Sequence, residues 1–303
     1  MTAQPAPAAR APGTATAGAP LLFGAHTPGS PEGGVGATDE LERRLERRIS
    51  IVLWYQHWAG WGPEPNTEWL ANVSGSGRTP LLTWEPWAPG GPEQPAFALR
   101  RIAGGEFDAY VKRWARALAG YGRPVYLRPM HEMNGNWYPW GGAVNGNTAS
   151  DYVAAWRRMW RIFERAGARN VRWVWSPLVD DVPASSANRF ERYYPGSQFV
   201  DVLALDGYNW GGDFPAYGGW RSFDSVFLGA YARIARLGPQ PVWIAETASA
   251  PEGGDKAAWV RDMFSSAAIR YPRLQAIVWF DVDKERDWRA TSPDGVASAF
   301  ATS

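Results

Sequence analysis

Between Leu127 and Gly142 the chain reads LRPMHEMNGNWYPWGG, setting one carboxylic acid, Glu132, between His131 and the amide of Asn134 and following it with Trp137, Tyr138 and Trp140. A carboxyl group among flat apolar rings has what is needed to protonate a glycosidic oxygen while a sugar ring stacks beside it. A second carboxylate, Glu246, ends another short apolar run in PVWIAETAS. Either glutamate alone is as readily a solvated charge at a strand end. Two of them, each at the end of an apolar run, match where barrel enzymes carry their chemistry.

The segments that must position this pair are regular. From Pro20 onward, short apolar, β-branched or aromatic runs recur, each followed by a polar turn and then a stretch of helical periodicity. The strand-like runs are 21–26, 49–54, 80–84, 125–128, 171–175, 202–205, 241–245 and 274–280. Helices are expected between them. Phe107, Val111, Trp114 and Leu118 recur at helical spacing, with Gly120 and Gly122 as stops; Tyr152, Trp156, Met159 and Phe163 repeat it, with Ser150 as the expected N-cap. Phe223, Phe227, Ala230, Ile234 and Leu237 form a further stripe, and shorter or less regular helices are expected over 39–48, 67–73, 188–194, 255–270 and 292–300. Strands and helices alternating in this way predict a single (β/α)8 TIM barrel over 21–303, with Glu132 following strand four and Glu246 ending strand seven at the mouth where the βα loops converge. An open doubly wound sheet accepts the same alternation, but no glycine-rich phosphate loop follows an early strand. Residues 1–20, rich in Ala, Pro, Thr and Gly, are expected to be a disordered tail.

Composition narrows the partners. Among 303 residues, 31 bases against 30 acids leave a net charge of +1, so no basic excess is available for a nucleic-acid partner. No run approaches a membrane span. The absence of cysteine removes disulfides and thiolate metal sites. Nineteen tryptophans are more than a core economically buries with every indole N–H satisfied, and exposed indoles suit the apolar faces of sugars. Trp58, Trp61, Trp84, Trp87, Trp210 and Trp220 mostly follow strand ends, and about half of them are expected to line a groove.

The strand-four stretch LRPMHEMNGNWYPWGG resembles the signature of glycoside hydrolase family 26, whose members include β-mannanases and mixed-linkage β-glucanases on a (β/α)8 barrel. The resemblance runs from about Leu21 to the C-terminus. It implies that Glu132 is the general acid/base and that Glu246, in WIAETAS, is the nucleophile of a retaining mechanism. It implies further that His131 and Tyr208 orient the nucleophile or the sugar beside it, that Trp137 lines the leaving-group side, and that Trp279 floors the subsite of the cleaved sugar. Trp84, Glu85, Asn134, Trp140 and Trp210 are the remaining substrate-contact candidates. Family mannanases carry Trp-His at the end of strand three, where this chain has Trp84-Glu85, a departure that brings the mixed-linkage glucanase branch closer.

The residues carry the same division of labour physically. An acid must stay protonated near neutral pH, which burial against Trp137 or Trp140 would achieve for Glu132; a nucleophile must stay ionised, which donors such as Tyr208 or His131 would achieve for Glu246. The competing sites fail on spacing. The second histidine of a zinc-protease motif would fall on Gly135, lone His26 and His57 are expected to be hydrogen-bonded structure or substrate contacts before metal ligands, and Asp281, Asp283, Glu285 and Asp287 lack the order of a calcium loop. Asp180 and Asp181 are expected at the rim. No metal or cofactor is called for. The sequence therefore predicts a retaining, endo-acting β-glycoside hydrolase on β-mannan or mixed-linkage β-glucan, expected as an exported monomer, with a cytoplasmic address left open. A non-catalytic polysaccharide-binding barrel and a transglycosylase are the alternatives.

Overall fold

The computed structural model describes residues 20–60, 64–214 and 218–301. Trp61 and nearly all of the expected tail lie outside them. Eight parallel strands close on one another in chain order: β1 Leu22–His26, β2 Ile51–His57, β3 Thr79–Glu85, β4 Val125–Pro129, β5 Val171–Trp175, β6 Val202–Asn209, β7 Val242–Ser249 and β8 Leu274–Phe280. The helices between them are α1 Gly36–Leu45, α2 Thr67–Gly75, α3 Leu99–Gly104, α4 Asp108–Tyr121, α5 Ala149–Arg165, α6 Phe223–Ile234, α7 Lys256–Arg270 and α8 Ala297–Ala301. This is the expected (β/α)8 barrel.

Local departures have local causes. No α-helix joins β5 to β6; the expected helix over 188–194 is replaced by single 3-10 turns, one of them Phe190–Tyr193. The N-cap of α5 is Thr148, two residues before the expected Ser150, because Thr148 accepts from the Asp151 N–H while the Asp151 carboxylate accepts from the Thr148 N–H, a reciprocal box. The expected helix over 292–300 is reduced to α8.

Strand alternation sorts the side chains into two layers. Ile51, Leu53, Leu81, Val174, Val202, Ala204, Trp243, Ala245, Ala276 and Val278 fill the barrel interior. The intervening residues, including Trp54, Trp84, Leu127, Trp173, Ile244 and Trp279, pack outward against the helices. The same parity decides which residues can reach the mouth. Past the inner apolar layers come Tyr55 and His57 on β2, Thr83 and Glu85 on β3, Arg128 on β4, Asp206 and Tyr208 on β6, and Phe280 on β8.

Glu246 reaches that set only through an irregularity. Leu205 pairs with Ile244 but Asp206 pairs with Glu246, so Ala245 is an extra residue on β7. With Trp243 and Ala245 both inside, strict alternation would turn Glu246 toward the helices; the bulge restores it to the interior. Both β6 and β7 also run four residues beyond the expected ends, so Tyr208 and Glu246 stand on strands and not on the loops after them.

Candidate active site

Glu246 is held from three sides. Arg128 donates to its Oε2 at 2.6 Å, Tyr55 donates to the same oxygen at 2.7 Å, and Tyr208 donates to Oε1. Arg128 is fully buried and spends its remaining donors on both oxygens of Asp206, each at 2.9 Å, and on Thr83 Oγ1. Asp206, also fully buried, accepts from Ser176 as well. Burial acts to raise the Glu246 pKa, but the Arg128 charge first, then the neighbouring His131 and the Tyr208 hydroxyl, outweigh it and hold the group at about 2. Asp206 moves the other way, raised by burial and by the Glu246 charge against the pull of Arg128.

Glu132 is held differently. It has φ 51°, a left-handed conformation that a non-glycine residue adopts only when its surroundings impose it. Here the Glu132 N–H is taken by the Ser176 carbonyl at 2.7 Å, and its own carbonyl accepts from Gly135 N–H at 2.8 Å, a tight turn that carries the chain over the barrel mouth. Trp137 then folds back and donates Nε1–H to Glu132 Oε2 at 2.7 Å. Glycine at 135 is required for this, since a Cβ there would lie 2.5 Å from the Trp137 ring. The residue is 6% exposed, and burial, followed by the Glu246 and Asp206 charges, pushes its pKa well above the ordinary value. The arrangement therefore favours a proton on Glu132 over one on Glu246.

The other candidates divide by strand parity. His131 is buried between Tyr138 and Trp140 and near Tyr55, with neither ring nitrogen hydrogen-bonded to the described residues; burial and Arg128 keep it neutral. It therefore does not orient Glu246 by a hydrogen bond, whereas Tyr208 makes one. Trp137 and Trp210 are part-exposed at the mouth, Trp210 against Tyr208, Phe214 and Trp288. Glu85 is inward and nearly buried, 2.9 Å from His57 Nε2 and within reach of Trp87 Nε1. Burial raises its pKa against the pull of His57.

Four expected sugar contacts are corrected. Trp84 faces outward into Trp58, Tyr110 and Trp114. Trp279 faces outward into Trp259 and Phe300, its indole N–H on the Trp288 carbonyl. Its neighbour Phe280, one step along the same strand, takes the inward position against His26, Tyr55 and Tyr208. Trp140 is buried beneath Tyr138, 4.4 Å between rings, with its N–H on the His131 carbonyl. Asn134 is fully buried and ties this loop to the next through the Leu178 carbonyl, Leu178 N–H and Asp181. Of the six strand-end tryptophans, Trp58 joins Trp84 in the core, while Trp87, Trp210 and Trp220 keep an exposed face.

The residues that the sequence did not single out are Tyr55, Arg128, Asp206 and Phe280. A polar residue at an inward parity near a strand's C-terminal end is the signal that would have found the first three. Asp287 and Asp283 are paired with Arg289, and Asp281 accepts from Ala290 N–H; among the described residues no group of three or more metal-ligating side chains converges.

The sequence model of glycosyl hydrolase family 26 matches residues 100–295. The chain belongs to that family. Across 259 residues this family 26 chain is 37% identical to Endoglucanase H of Acetivibrio thermocellus, a match over 83% of the chain and 27% of that protein. It is 38% identical over 97 residues to mannan endo-1,4-β-mannosidase A and B of Caldalkalibacillus mannanilyticus, covering 30% of the chain and 18% of the relative. The chain thus spans about a quarter or less of the length of these relatives. The catalytic domain of a Bacillus sp. JAMB-750 endo-β-1,4-mannanase superposes with a TM-score of 0.68 at 19% identity, covering 93% of this chain and 85% of that one, and shares its barrel.

Proposed function

We propose that the chain is a retaining, endo-acting β-glycoside hydrolase in which Glu246 attacks the anomeric carbon and Glu132 protonates the departing oxygen. The observation that carries this reading is the opposed pressure on the two carboxyls: Glu246 is kept ionised by Arg128 and two phenols, while Glu132 is kept protonated by burial and by the Glu246 charge itself. In the first step the Glu246 Oε–C1 bond forms as the C1–O bond to the leaving sugar breaks, and the Glu132 proton goes to that oxygen. In the second, ionised Glu132 takes a proton from water as its oxygen attacks C1 and releases Glu246. With Glu246 neutralised as an ester after the first step, the charge that raised Glu132 is gone. Its proton affinity then falls toward that of a base, as the second step needs.

Arg128 and Asp206 set the geometry of the attacking oxygen, and Trp137 fixes the rotamer of the acid. A mixed-linkage or β-1,4-linked glucan is the favoured substrate. This is supported by likeness to an endoglucanase along 83% of the chain against 30% for the mannosidase, and by Glu85 at the end of β3. A β-mannan is the second reading, favoured by the barrel shared with the mannanase structure. No described helix is long and apolar enough to cross a membrane. A polymeric substrate supports export, and a single barrel that carries every site residue supports a monomer.

Reducing-sugar release from barley-type β-glucan, glucomannan and galactomannan ranks the substrates, and NMR of the first-formed anomer reads the stereochemistry. Retention with faster cleavage of the glucan is expected. An inverted first product, or Glu246→Ala with near-normal turnover, overturns the mechanism.

A further inference from the structure

A large cleft lies away from the two glutamates. About 1220 Å³ in volume, it runs along the outer face of α5, between the loop that leads from Glu132 to that helix and the turns that follow β5. Its lining contains five arginines, at 157, 158, 161, 165 and 192, and no carboxylate. Two of these are committed inside the protein: Arg158 to both oxygens of Asp108, and Arg157 to the Pro195 carbonyl. Arg161, Arg165 and Arg192 are exposed, and none is in an ion pair with the described residues.

Arginines 157, 161 and 165 stand one helical turn apart, a row about 6 Å per step along a helix of 17 residues. Like charges at this spacing repel when nothing neutralises them. A guanidinium presents a planar fork that matches a carboxylate, and a row of them fits a chain with carboxylates repeated along it. The rest of the lining is uncharged and mostly small or hydroxylic, with the exposed Ala143, Ala154 and Ala187 beside Thr148 and Ser150. Stacking platforms for bases are missing: the one aromatic in the lining, Tyr193, is buried with its hydroxyl on Asn188.

We infer that this cleft is a secondary binding site for an acidic polysaccharide, one carrying uronate carboxylates along its chain. It begins on the loop that also holds Glu132 and Trp137, so a polymer lying in it is led to the rim of the barrel mouth. The inference rests on the polysaccharide reading above for the class of ligand, but not on cleavage of the bound chain.

Affinity electrophoresis of the whole chain in gels containing polygalacturonate, which is α-linked and not a substrate of the proposed reaction, tests it. Wild type should be retarded, less so as salt is raised, and R161Q/R165Q/R192Q should bind at least tenfold more weakly while cleaving neutral β-glucan at the wild-type rate. Among the described residues Arg161 makes only a 5.8 Å approach to the Phe199 ring and Arg165 and Arg192 make no side-chain hydrogen bond, so the variant should melt close to wild type. Unretarded wild type, or a variant retarded equally, overturns the inference. So does equal retention of wild type by duplex DNA or polyphosphate, which would make the row a general polyanion surface. Retention through the arginines with no cleavage of any β-glycan would support this site and sink the hydrolase reading instead.

Discussion

The two sides of the barrel mouth solve opposite problems with opposite means. On the β6–β7 side, Glu246 sits on a strand, set inward by a bulge and fixed by three donors that leave it little freedom to rotate or to take up a proton. On the β4 side, Glu132 sits on a turn in a strained left-handed conformation, buried, with a single indole donor and the Glu246 and Asp206 charges nearby. The first side is built from charge and hydrogen bonds, the second from burial. The difference teaches that a pair of identical side chains acquires distinct roles from what is, and is not, placed around each.

Removing the carboxylates should break the symmetry of composition most clearly. Glu246→Ala should lower kcat on β-glucan by at least about 10⁴-fold, since no covalent intermediate can form. Glu132→Ala should lower it by about 10²–10⁴-fold on polysaccharide and far less on an aryl glycoside whose phenol needs no protonation. Equal losses on both substrates for both variants would mean the two sides do not divide the work.

Arg128→Met is expected to have the next largest effect, and on stability as well as rate. It leaves Asp206 and Glu246 buried together without their cation, a loss of about 3–5 kcal/mol on the scale of broken buried pairs, read by urea denaturation. Tyr208→Phe should act more narrowly. A hydrogen bond to a charged group contributes about 1.5–3 kcal/mol, so kcat/KM should fall by roughly 10–100-fold. Because the phenol stabilises the ionised form, its removal raises the Glu246 pKa from about 2, and the acid limb of the pH–rate profile should move to higher pH with the alkaline limb unmoved. A shift of the alkaline limb instead would place Tyr208 with Glu132.

Much of this was legible before any coordinates. Strand and helix alternation give the barrel, and the long aromatic stretch after strand four marks Glu132, because periodicity and local composition are written in consecutive residues. Once Ala276 and Val278 point inward, alternation turns Phe280 toward the mouth and Trp279 away from it, but a strand as uniformly apolar as β8 does not show which face is inward. What no local pattern carries is the bulge at Ala245. It depends on how β7 pairs with β6, and by alternation alone Glu246 would face the helices. The Arg128–Asp206 contact is of the same kind, joining residues 78 apart in sequence, where each alone reads as an unremarkable charge near a strand end.

The smallest expected effect gives the sharpest comparison of the two sides, because it has a sign. Trp137 donates to Glu132 as Tyr208 donates to Glu246, yet the two bonds serve opposite ends: one trims the pKa of a group that must stay protonated, the other supports ionisation. Trp137→Phe keeps the ring and removes the N–H, so the Glu132 anion loses its one indole donor and its pKa rises further. For a donor worth about 0.5–1.5 kcal/mol the shift is up to roughly one pH unit. The alkaline limb of kcat/KM should therefore move upward while the acid limb stays in place, with the rate at neutral pH changed by less than about tenfold. A downward shift would mean that the indole supports the protonated acid, and that Glu132 owes its proton to hydrogen bonding more than to burial.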